Sequence, residues 1–405
     1  MTARPGPDRV ARAALTSIAE PADPVMAELL RHCSPAVVIA ALIAGKALPW
    51  PAAMPALERA RQRWSARLGE APTADRLDAW QRDGLRFICP GDPEWPGQLD
   101  LLGPARPWGL WLRGNADLRF ACLRSVSIVG TRAATAYGQH VCGEMAAALA
   151  ERDWAVVSGG AYGIDSRAHQ GALAAEGITV AVLPGGVDKP YPRGHHDLFL
   201  AIAAAGVLVS ELPPGRTPTR PGFLVRNRLI AALSRGTVVV EAALRSGALN
   251  TARHARDLNR PLMAVPGPVT SALSEGCHEI IREWGAVCVT CAGDVIEMLA
   301  FPGDGGQPGP GGQPGPGRPA GPGGPASLFG PVLPRDALDP VTAQVLEVIP
   351  ARQGRGPARI AVTAGVDFDT AMRCLGELTA GGFVERCDRG WRLRAARKGE
   401  GDAMR

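Results

Sequence analysis

The most constraining feature of this 405-residue chain is the stretch 125–165, which reads SVSIVGTRAATAYGQHVCGEMAAALAERDWAVVSGGAYGID. It opens with a short apolar run, Ser125–Val129, that Gly130 interrupts. Residues 137–151 then carry apolar side chains at helical spacing, and residues 154–157 form a second apolar run. The order strand, tight turn, helix, strand is that of one βαβ unit. We therefore expect a parallel α/β architecture around this stretch.

Both strand-to-helix turns of the unit contain glycine. The first is Gly130-Thr131-Arg132, and the second is Ser158-Gly159-Gly160-Ala161-Tyr162-Gly163. Backbone N–H groups at such turns commonly face an anion, usually a phosphate. The pattern does not indicate a dinucleotide site, because the first turn lacks G-x-G-x-x-G and the second strand does not end in an acidic residue. The sequence also contains no P-loop motif. We therefore expect an anion-binding edge and no conventional cofactor.

Strand and helix patterns alternate throughout residues 113–300, which predicts a doubly wound, mostly parallel sheet of the extended Rossmann-like kind. The predicted strands are Ser125–Val129, Val207–Ser210 and residues 154–158, 178–183, 237–241, 262–265 and 286–289. Ligands of such sheets bind outside the carboxyl ends of the strands. The glycine turns at Gly130 and Gly159 are expected at that edge.

The remaining sequence predicts a domain on each side of this sheet. Residues 1–110 indicate a small helical domain, and 111–301 the Rossmann-like domain. Residues 302–331 are mostly Gly, Pro and Gln, which is typical of a flexible linker. Residues 332–398 show helices followed by a short hairpin, the outline of a winged helix, although a generic small helical domain fits the same pattern.

Charge is concentrated in one part of the chain. Residues 214–260 hold nine arginines against Glu241 and Asp257, a balance of +7, whereas the whole chain carries +5. A basic block inside an otherwise nearly neutral domain is typical of a protein with a polyanionic partner. A solvated helix face would give the same charge pattern, so charge alone leaves both interpretations open.

The nine cysteines form no disulfide or zinc framework. Cys288 and Cys291 make a CxxC, but they lie on a predicted strand, where residues three apart face opposite ways. We expect no metal site. No signal peptide is apparent, and the longest apolar stretch, residues 36–44, is too short to span a bilayer. The protein is expected to be cytoplasmic, without membrane insertion.

A run of short motifs resembles the DNA-processing protein A family (DprA, also called Smf). In chain order these motifs are GTR at 130–132, SGGAYGID at 158–165, AH at 168–169, GAL at 171–173, AVLPGG at 181–186, YP at 191–192, SE at 210–211, RNR at 226–228, VVE at 239–241, SGAL at 246–249 and AVPG at 264–267. The match covers residues 113–299. Three positions depart from the family pattern, namely Gly160, Leu224 and His278.

The resemblance implies an N-terminal domain of the SAM-like helical type and single-stranded DNA binding in a basic pocket of the Rossmann-like domain. It also implies a homodimer that protects incoming DNA and hands the strand to the RecA recombinase during natural transformation, with single-strand-binding protein as a possible further partner. On this reading the residues expected at the DNA are Gly130, Thr131, Arg132, Ser158, Gly159, Gly160, Gly163, Arg220, Phe223, Arg226, Asn227 and Arg228.

The physical readings of these residues leave alternatives open. Arg132 can bind a phosphate or pair with a neighbouring acid. Phe223 can stack on a base or pack in the core. Of Arg226 and Arg228, one can reach DNA while the other pairs with Glu211 or Glu241.

Asp165 and His169 are expected to be structural, Asp165 as the N-cap of a helix beginning at Ser166 and His169 as a packing residue. No Ser-His-Asp or paired-carboxylate arrangement emerges, so we predict no enzymatic activity and no catalytic residues. The main rival is a nucleotide-processing phosphoribohydrolase of the lysine-decarboxylase-like type. However, Pro184-Gly185-Gly186 continues as Val187-Asp188 rather than Gly-Thr. A third reading is a transcription regulator, with Arg373 as its base-reading candidate.

Overall fold

The computed structural model describes residues 6–48, 55–299, 338–350, 354–387 and 390–394, which belong to two compact units before and after residues 300–337. The predicted linker 302–331 lies outside the described residues. Among the described residues, no helix combines the length and apolar character needed to cross a bilayer.

The first unit begins with a group of short helices: α1 (Pro7–Ile18), α2 (Pro24–Leu29), α3 (Pro35–Ile43), α4 (Pro55–Ala66) and α5 (Ala74–Arg82), with a 3-10 turn at Leu68–Glu70. Asp23 caps α2, and its other carboxylate oxygen accepts a hydrogen bond from Trp64 Nε1 at 3.2 Å. Leu15, Leu29 and Trp64 fill the core between these helices. The predicted helical segment is therefore present, and its SAM-like character stays a prediction.

A nine-stranded sheet forms the centre of the first unit. Its strands are β1 (Leu85–Ile88), β2 (Leu110–Gly114), β3 (Ser125–Val129), β4 (Ala155–Ser158), β5 (Thr179–Leu183), β6 (Val207–Ser210), β7 (Thr237–Val239), β8 (Leu262–Ala264) and β9 (Val287–Cys288). They lie in the order β1-β2-β6-β5-β4-β3-β7-β8-β9. The strands from β3 to β9 are parallel, which confirms the predicted α/β class with a mostly parallel sheet.

The sheet extends further towards the N-terminus than residue 111, the predicted start of the Rossmann-like domain. β2 pairs antiparallel with β6, in a register that places Trp111 opposite Ser210, and β1 pairs antiparallel with β2. Without β2, β6 would be an edge strand with unpaired backbone groups. The β1–β2 pair from the N-terminal part of the chain covers that edge.

Helices cover both faces of the sheet. They are α6 (Leu118–Leu123), α7 (Ala136–Ala150), α8 (Ile164–Ala174), α9 (His196–Ala205), α10 (Arg220–Leu233), α11 (Gly247–Asp257), α12 (Glu275–Trp284) and α13 (Ala292–Leu299). Alternate residues of β4 divide between two cores: Val156 packs with residues of α7 and α8, whereas Val157 packs with residues of α10 and α11. A strand buried on both faces reads as a continuous apolar run, which is why the sequence predicts these strands.

The second unit contains α14 (Pro340–Glu347), α15 (Pro357–Ala364), α16 (Phe368–Ala380) and an antiparallel hairpin of β10 (Val384–Cys387) and β11 (Gly390–Leu393). Ile360, Leu375 and Val384 contribute to its core. Three helices and a hairpin follow the predicted order, and assignment as a winged helix stays a prediction. Arg373, the base-reading candidate of the regulator hypothesis, pairs with Glu377 at 3.0 Å.

Candidate nucleic-acid interface

A pocket of about 320 Å³ lies beyond the carboxyl end of β3, and its lining includes Gly130, Arg132, Phe223, Arg226 and Asn227. β3 has β4 on one side and β7 on the other, so the order of the strands reverses there. Such a reversal is where open α/β sheets bind their ligands. Residues from both glycine turns and from α10 therefore meet where the sequence predicts a ligand.

The loop at residues 130–135, which carries Arg132, is held by Glu241. The Thr131 N–H donates to the Glu241 carbonyl at 2.7 Å, and the Glu241 carboxylate accepts from the Thr135 N–H at 2.9 Å and from Thr135 Oγ1 at 2.5 Å. Arg132 is exposed at this loop. Arg132 therefore precedes α7 and its Thr135 cap rather than standing at the helix N-terminus itself.

The two glycine turns pack directly on each other. The Ile164 N–H donates to the Thr131 carbonyl at 3.1 Å, and a Cβ on Gly163, whose φ is +79°, would lie 2.3 Å from that same oxygen. The Ala161 N–H donates to the Asp165 carboxylate at 3.4 Å. The prediction that the turn backbone offers its N–H groups to an anion is therefore wrong for Thr131 and Ala161, whose donors are used internally. The Arg132 side chain brings a positive charge to this edge.

Arg132, Phe223 and Tyr191 form an exposed cationic and aromatic cluster. The guanidinium carbon of Arg132 lies 5.0 Å from the centroid of the Phe223 ring, and Tyr191 meets that ring edge-on at 6.0 Å. Phe223 is half-buried and Tyr191 is exposed, so Phe223 is not a core residue. Within the described residues no ion pair engages Arg132. The cluster offers a cation and aromatic surface at one place.

Arg220 is exposed at the start of α10, in the same first turn as Phe223. Thr219 caps this helix, and its Oγ1 accepts from the Gly222 N–H at 3.2 Å. The DNA-binding roles of Arg132, Arg220 and Phe223 stay predictions. Arg132 and Phe223 line the pocket, and Arg220 begins the helix that carries Phe223.

Arg226 is a buried arginine below this cluster. Its Nη1 donates to the Gly159 carbonyl at 2.8 Å and also to the Val182 carbonyl. A Cβ on Gly159 would lie 2.4 Å from that nitrogen, so glycine is required for the close approach. Burial lowers the pKa of Arg226 to about 10, which still leaves the side chain charged at neutral pH. Arg226 ties α10 to the ends of β4 and β5.

Arg228 forms a buried ion pair with Glu211. Its Nη2 lies 2.7 Å from Glu211 Oε2, and the two side chains are only 4% and 6% exposed. Asn227 donates through Nδ2 to Asn250 Oδ1 at 3.2 Å and to the Gly247 carbonyl at 3.3 Å. The Arg-Asn-Arg run lies in the interior of α10 rather than at its start, and all three residues are buried.

The prediction for Asp165 as a helix cap is wrong, and the prediction for His169 as a packing residue is confirmed. Asp165 is not the N-cap, because α8 begins at Ile164 and the cap position belongs to Gly163. Burial raises the pKa of Asp165 against the opposing effect of Arg226. His169 is fully buried, with Nδ1 2.7 Å from Thr179 Oγ1, and burial lowers its pKa to about 3. His169 is therefore a neutral packing residue, as predicted.

A second, larger cavity of about 710 Å³ adjoins the cluster and was not found from the sequence. Basic side chains line it, and they are Arg113, Lys189, Arg193, His196 and Arg216. Its one lining carboxylate, Asp188, accepts from the Gly215 N–H at 2.9 Å. Tyr191 belongs to this cavity and contacts Phe223, so the two pockets are neighbours. Arg113 comes from the antiparallel strand β2, which no local pattern connects to the site.

Within the described residues, no group of three or more His, Cys, Asp or Glu side chains is arranged to hold a metal ion. Cys288 and Cys291 are both exposed free thiols. Only Cys288 lies in β9; Cys291 lies beyond its end.

A sequence model of the family described as DNA recombination-mediator protein A matches residues 86–300. The chain belongs to this family. A putative DNA processing protein DprA from Mycobacterium tuberculosis is 46% identical over 340 residues, which cover 82% of each chain. The solved structure of DNA processing protein A from Streptococcus pneumoniae matches with a TM-score of 0.57 and 27% identity, over 74% of this chain and 100% of that one. The predicted DprA/Smf resemblance is confirmed.

The three departures from the DprA pattern each have a defined place in the structure. Leu224 is 51% exposed on α10, and His278 Nε2 lies 3.0 Å from the Gly267 carbonyl oxygen. Gly160 has a φ of +70° and lies beside Phe199. In this member of the DprA family, glycine therefore suits the backbone that the second turn adopts.

Proposed function

We propose that this protein binds single-stranded DNA along the carboxyl edge of its sheet and acts as a non-enzymatic mediator of recombination in the cytoplasm. One observation carries the proposal: the Arg132 guanidinium lies 5.0 Å from the centre of the half-buried Phe223 ring. A strand with unstacked bases needs cations for its phosphates and aromatic faces for its bases, and both occur here together. The family to which the chain belongs supports the link to recombination.

The aromatic surface favours a single strand over a duplex. Phe223 and Tyr191 can contact a base only when that base is exposed, and bases inside a duplex are stacked on one another. The basic cavity lined by Arg113, Lys189 and Arg193 continues from Tyr191 and gives the phosphates of a longer strand a place to bind. Every base has an aromatic face, so the expected binding depends little on sequence.

We further propose that the protein works as a homodimer that protects incoming DNA and loads RecA on strands coated by single-strand-binding protein. A two-fold dimer doubles the number of phosphates held and increases affinity through effective concentration. We expect the dimer surface in the sheet-containing unit, because a Gly- and Pro-rich tether would make the C-terminal unit a poor anchor.

Fluorescence anisotropy with a labelled single strand and its duplex, measured over a series of salt concentrations, tests the binding. If about four phosphates are neutralised, the logarithm of affinity should fall with the logarithm of salt concentration at a slope of roughly −3. Arg132→Ala should flatten that slope, whereas Arg152→Ala, which removes an exposed arginine in the turn after α7, should not. Preference for the duplex would contradict the proposal.

Filament growth tests the loading role separately. Purified protein is mixed with RecA, ATP and a coated oligonucleotide, and faster filament growth is expected without turnover of nucleotides or DNA. Unchanged growth at saturating protein would refute the loading role. Hydrolysis of a nucleoside monophosphate would instead favour the phosphoribohydrolase.

A further inference from the structure

Arg216 connects the N-terminal helices to the loop that leads into α10. Its Nη2 donates to the Ser17 carbonyl at 2.5 Å and lies 2.8 Å from Glu70 Oε2. Ser17 is in the last turn of α1, where carbonyl groups lack donors from their own helix. A guanidinium at that end also complements the negative end of the helix dipole. Two N-terminal elements therefore hold this one side chain.

The loop at residues 212–219 is fixed on its other side as well. The Gly186 N–H donates to the Arg216 carbonyl at 2.9 Å, and the Gly215 N–H donates to Asp188 Oδ1 at 2.9 Å. Prolines at positions 213, 214 and 218 further restrict the backbone of the loop. The loop is thus held between the N-terminal helices and the turn that follows β5.

The position of this loop determines where α10 begins. Thr219, three residues after Arg216, caps α10, and its carbonyl accepts from the Phe223 N–H at 3.3 Å. The first turn of that helix carries Arg220 and Phe223. A shift of Arg216 would therefore move both side chains relative to Arg132, which a separate loop holds through Glu241.

We propose that Arg216 is a positioning residue through which the N-terminal helices hold the first turn of α10 in its DNA-binding place. The inference rests on the proposed function, and it gives the N-terminal helices a part in binding that lies outside the family motifs. Glu70 is the partner that makes it testable. Glu70 Oε2 also lies 3.9 Å from Arg67 Nε, so the bridge belongs to a small charged network at the end of α1.

A variant that removes a negative charge can distinguish a positioning role of Arg216 from a direct electrostatic attraction between Arg216 and DNA. Loss of Arg216 would weaken binding to a polyanion through charge alone, so that variant does not discriminate. Glu70→Gln removes a negative charge, which by charge alone strengthens binding to DNA. Positioning predicts the opposite, because the bridge to Arg216 is weakened. Glu58→Gln is the matched control, since Glu58 pairs with Arg61 within α4 at 3.1 Å.

The experiment uses the full chain and a fluorescein-labelled oligodeoxythymidine, with hydrogen exchange of the Gly222 and Phe223 amides as a second readout. Glu70→Gln should bind about two- to fivefold more weakly, as expected for loss of a partly exposed bridge, with an unchanged salt slope and faster exchange at both amides. In an Arg216→Ala background, Glu70→Gln should have no further effect. Arg216→Lys keeps the charge and should show the same faster exchange, because lysine lacks the planar fork.

Thermal unfolding checks that each variant is folded. Affinity for Glu70→Gln equal to or tighter than that for Glu58→Gln, with unchanged exchange, would overturn the inference. If Glu70→Gln does not fold, hydrogen exchange of the Gly222 and Phe223 amides in Arg216→Lys is the deciding measurement. Faster exchange supports the inference, and unchanged exchange overturns it. If the wild-type chain binds no single strand, the proposed function fails, and the exchange comparison still shows whether Arg216 orders α10.

Discussion

The contact between Arg132 and Phe223 makes a double-mutant cycle the sharpest test of the interface. The variants are Arg132→Ala, Phe223→Ala and the two together, each measured for affinity to a single strand across a salt series. The structure predicts different signatures for the two residues, because one presents a charge and the other an aromatic face, and it predicts coupling because they lie 5.0 Å apart.

The magnitudes follow from the chemistry of each contact. Phe223→Ala should cost about 1–3 kcal/mol of binding free energy if one base stacks on the ring, with little change in salt slope. Arg132→Ala should flatten the slope by about 0.7, the contribution of one phosphate contact on a single strand. The cation–π contact holds the two groups close enough to act on one nucleotide, if the proposed interface is right. The double variant should therefore lose about 0.5–1 kcal/mol less than the sum of the single losses.

Two control variants keep the cycle specific. Phe120→Ala removes a ring that is 67% exposed on α6, and Arg152→Ala removes an exposed arginine in the turn after α7. Both should bind as the wild type does. Strict additivity of the Arg132 and Phe223 losses would refute a shared nucleotide. Wild-type affinity in a folded Phe223→Ala variant would refute base stacking at that ring.

Three further predictions follow from buried groups and from the tether. Between pH 7 and pH 5 the wild type should lose about 2 kcal/mol of unfolding free energy through His169. The reason is that the imidazole takes up a proton near pH 6.5 in the unfolded chain, whereas its pKa in the folded protein is about 3. Urea unfolding at both pH values should show a smaller loss in His169→Gln. Arg228→Ala should cost about 3–5 kcal/mol in urea unfolding, because it leaves Glu211 buried without its partner, and an exposed-site cost below about 1 kcal/mol would contradict the buried ion pair. Ending the chain after residue 301 should leave single-strand affinity nearly unchanged, and a tenfold loss in anisotropy would show that the C-terminal unit contacts the DNA.

The parallel strands could be predicted from the sequence because each is a short, largely apolar run, and β3 and β4 are followed directly by glycine turns. The joining of β2 to β6 could not, since the pairing of Trp111 with Ser210 brings together segments 99 positions apart and leaves no local signal. The same reason hides the basic cavity, to which β2 contributes Arg113. Local sequence patterns therefore could not predict this long-range antiparallel pairing or the cavity that depends on it.

The site shows the same division between local and long-range information. Placing Arg132 and Phe223 near the glycine turns needs only the motif order and the topology of the sheet. The burial of Arg226 and Arg228 depends on carbonyls at the ends of β4 and β5 and on Glu211, groups that surround α10 only after folding. Asp165 was misassigned as a cap because Gly163, with its positive φ, takes that position one residue before α8 begins.

The antiparallel edge of the sheet also sets an order of events during synthesis. β1 and β2 are adjacent in the chain and can pair as soon as both have emerged, but the neighbour of β2 in the sheet, β6, is made about 100 residues later. At about 5–20 residues per second, the ribosome takes roughly 5–20 s to cover that distance. During that interval Leu110 and Leu112, which are fully buried in the folded protein, lack the neighbouring strand β6. The core around β2 is therefore completed only after β6 has been synthesised.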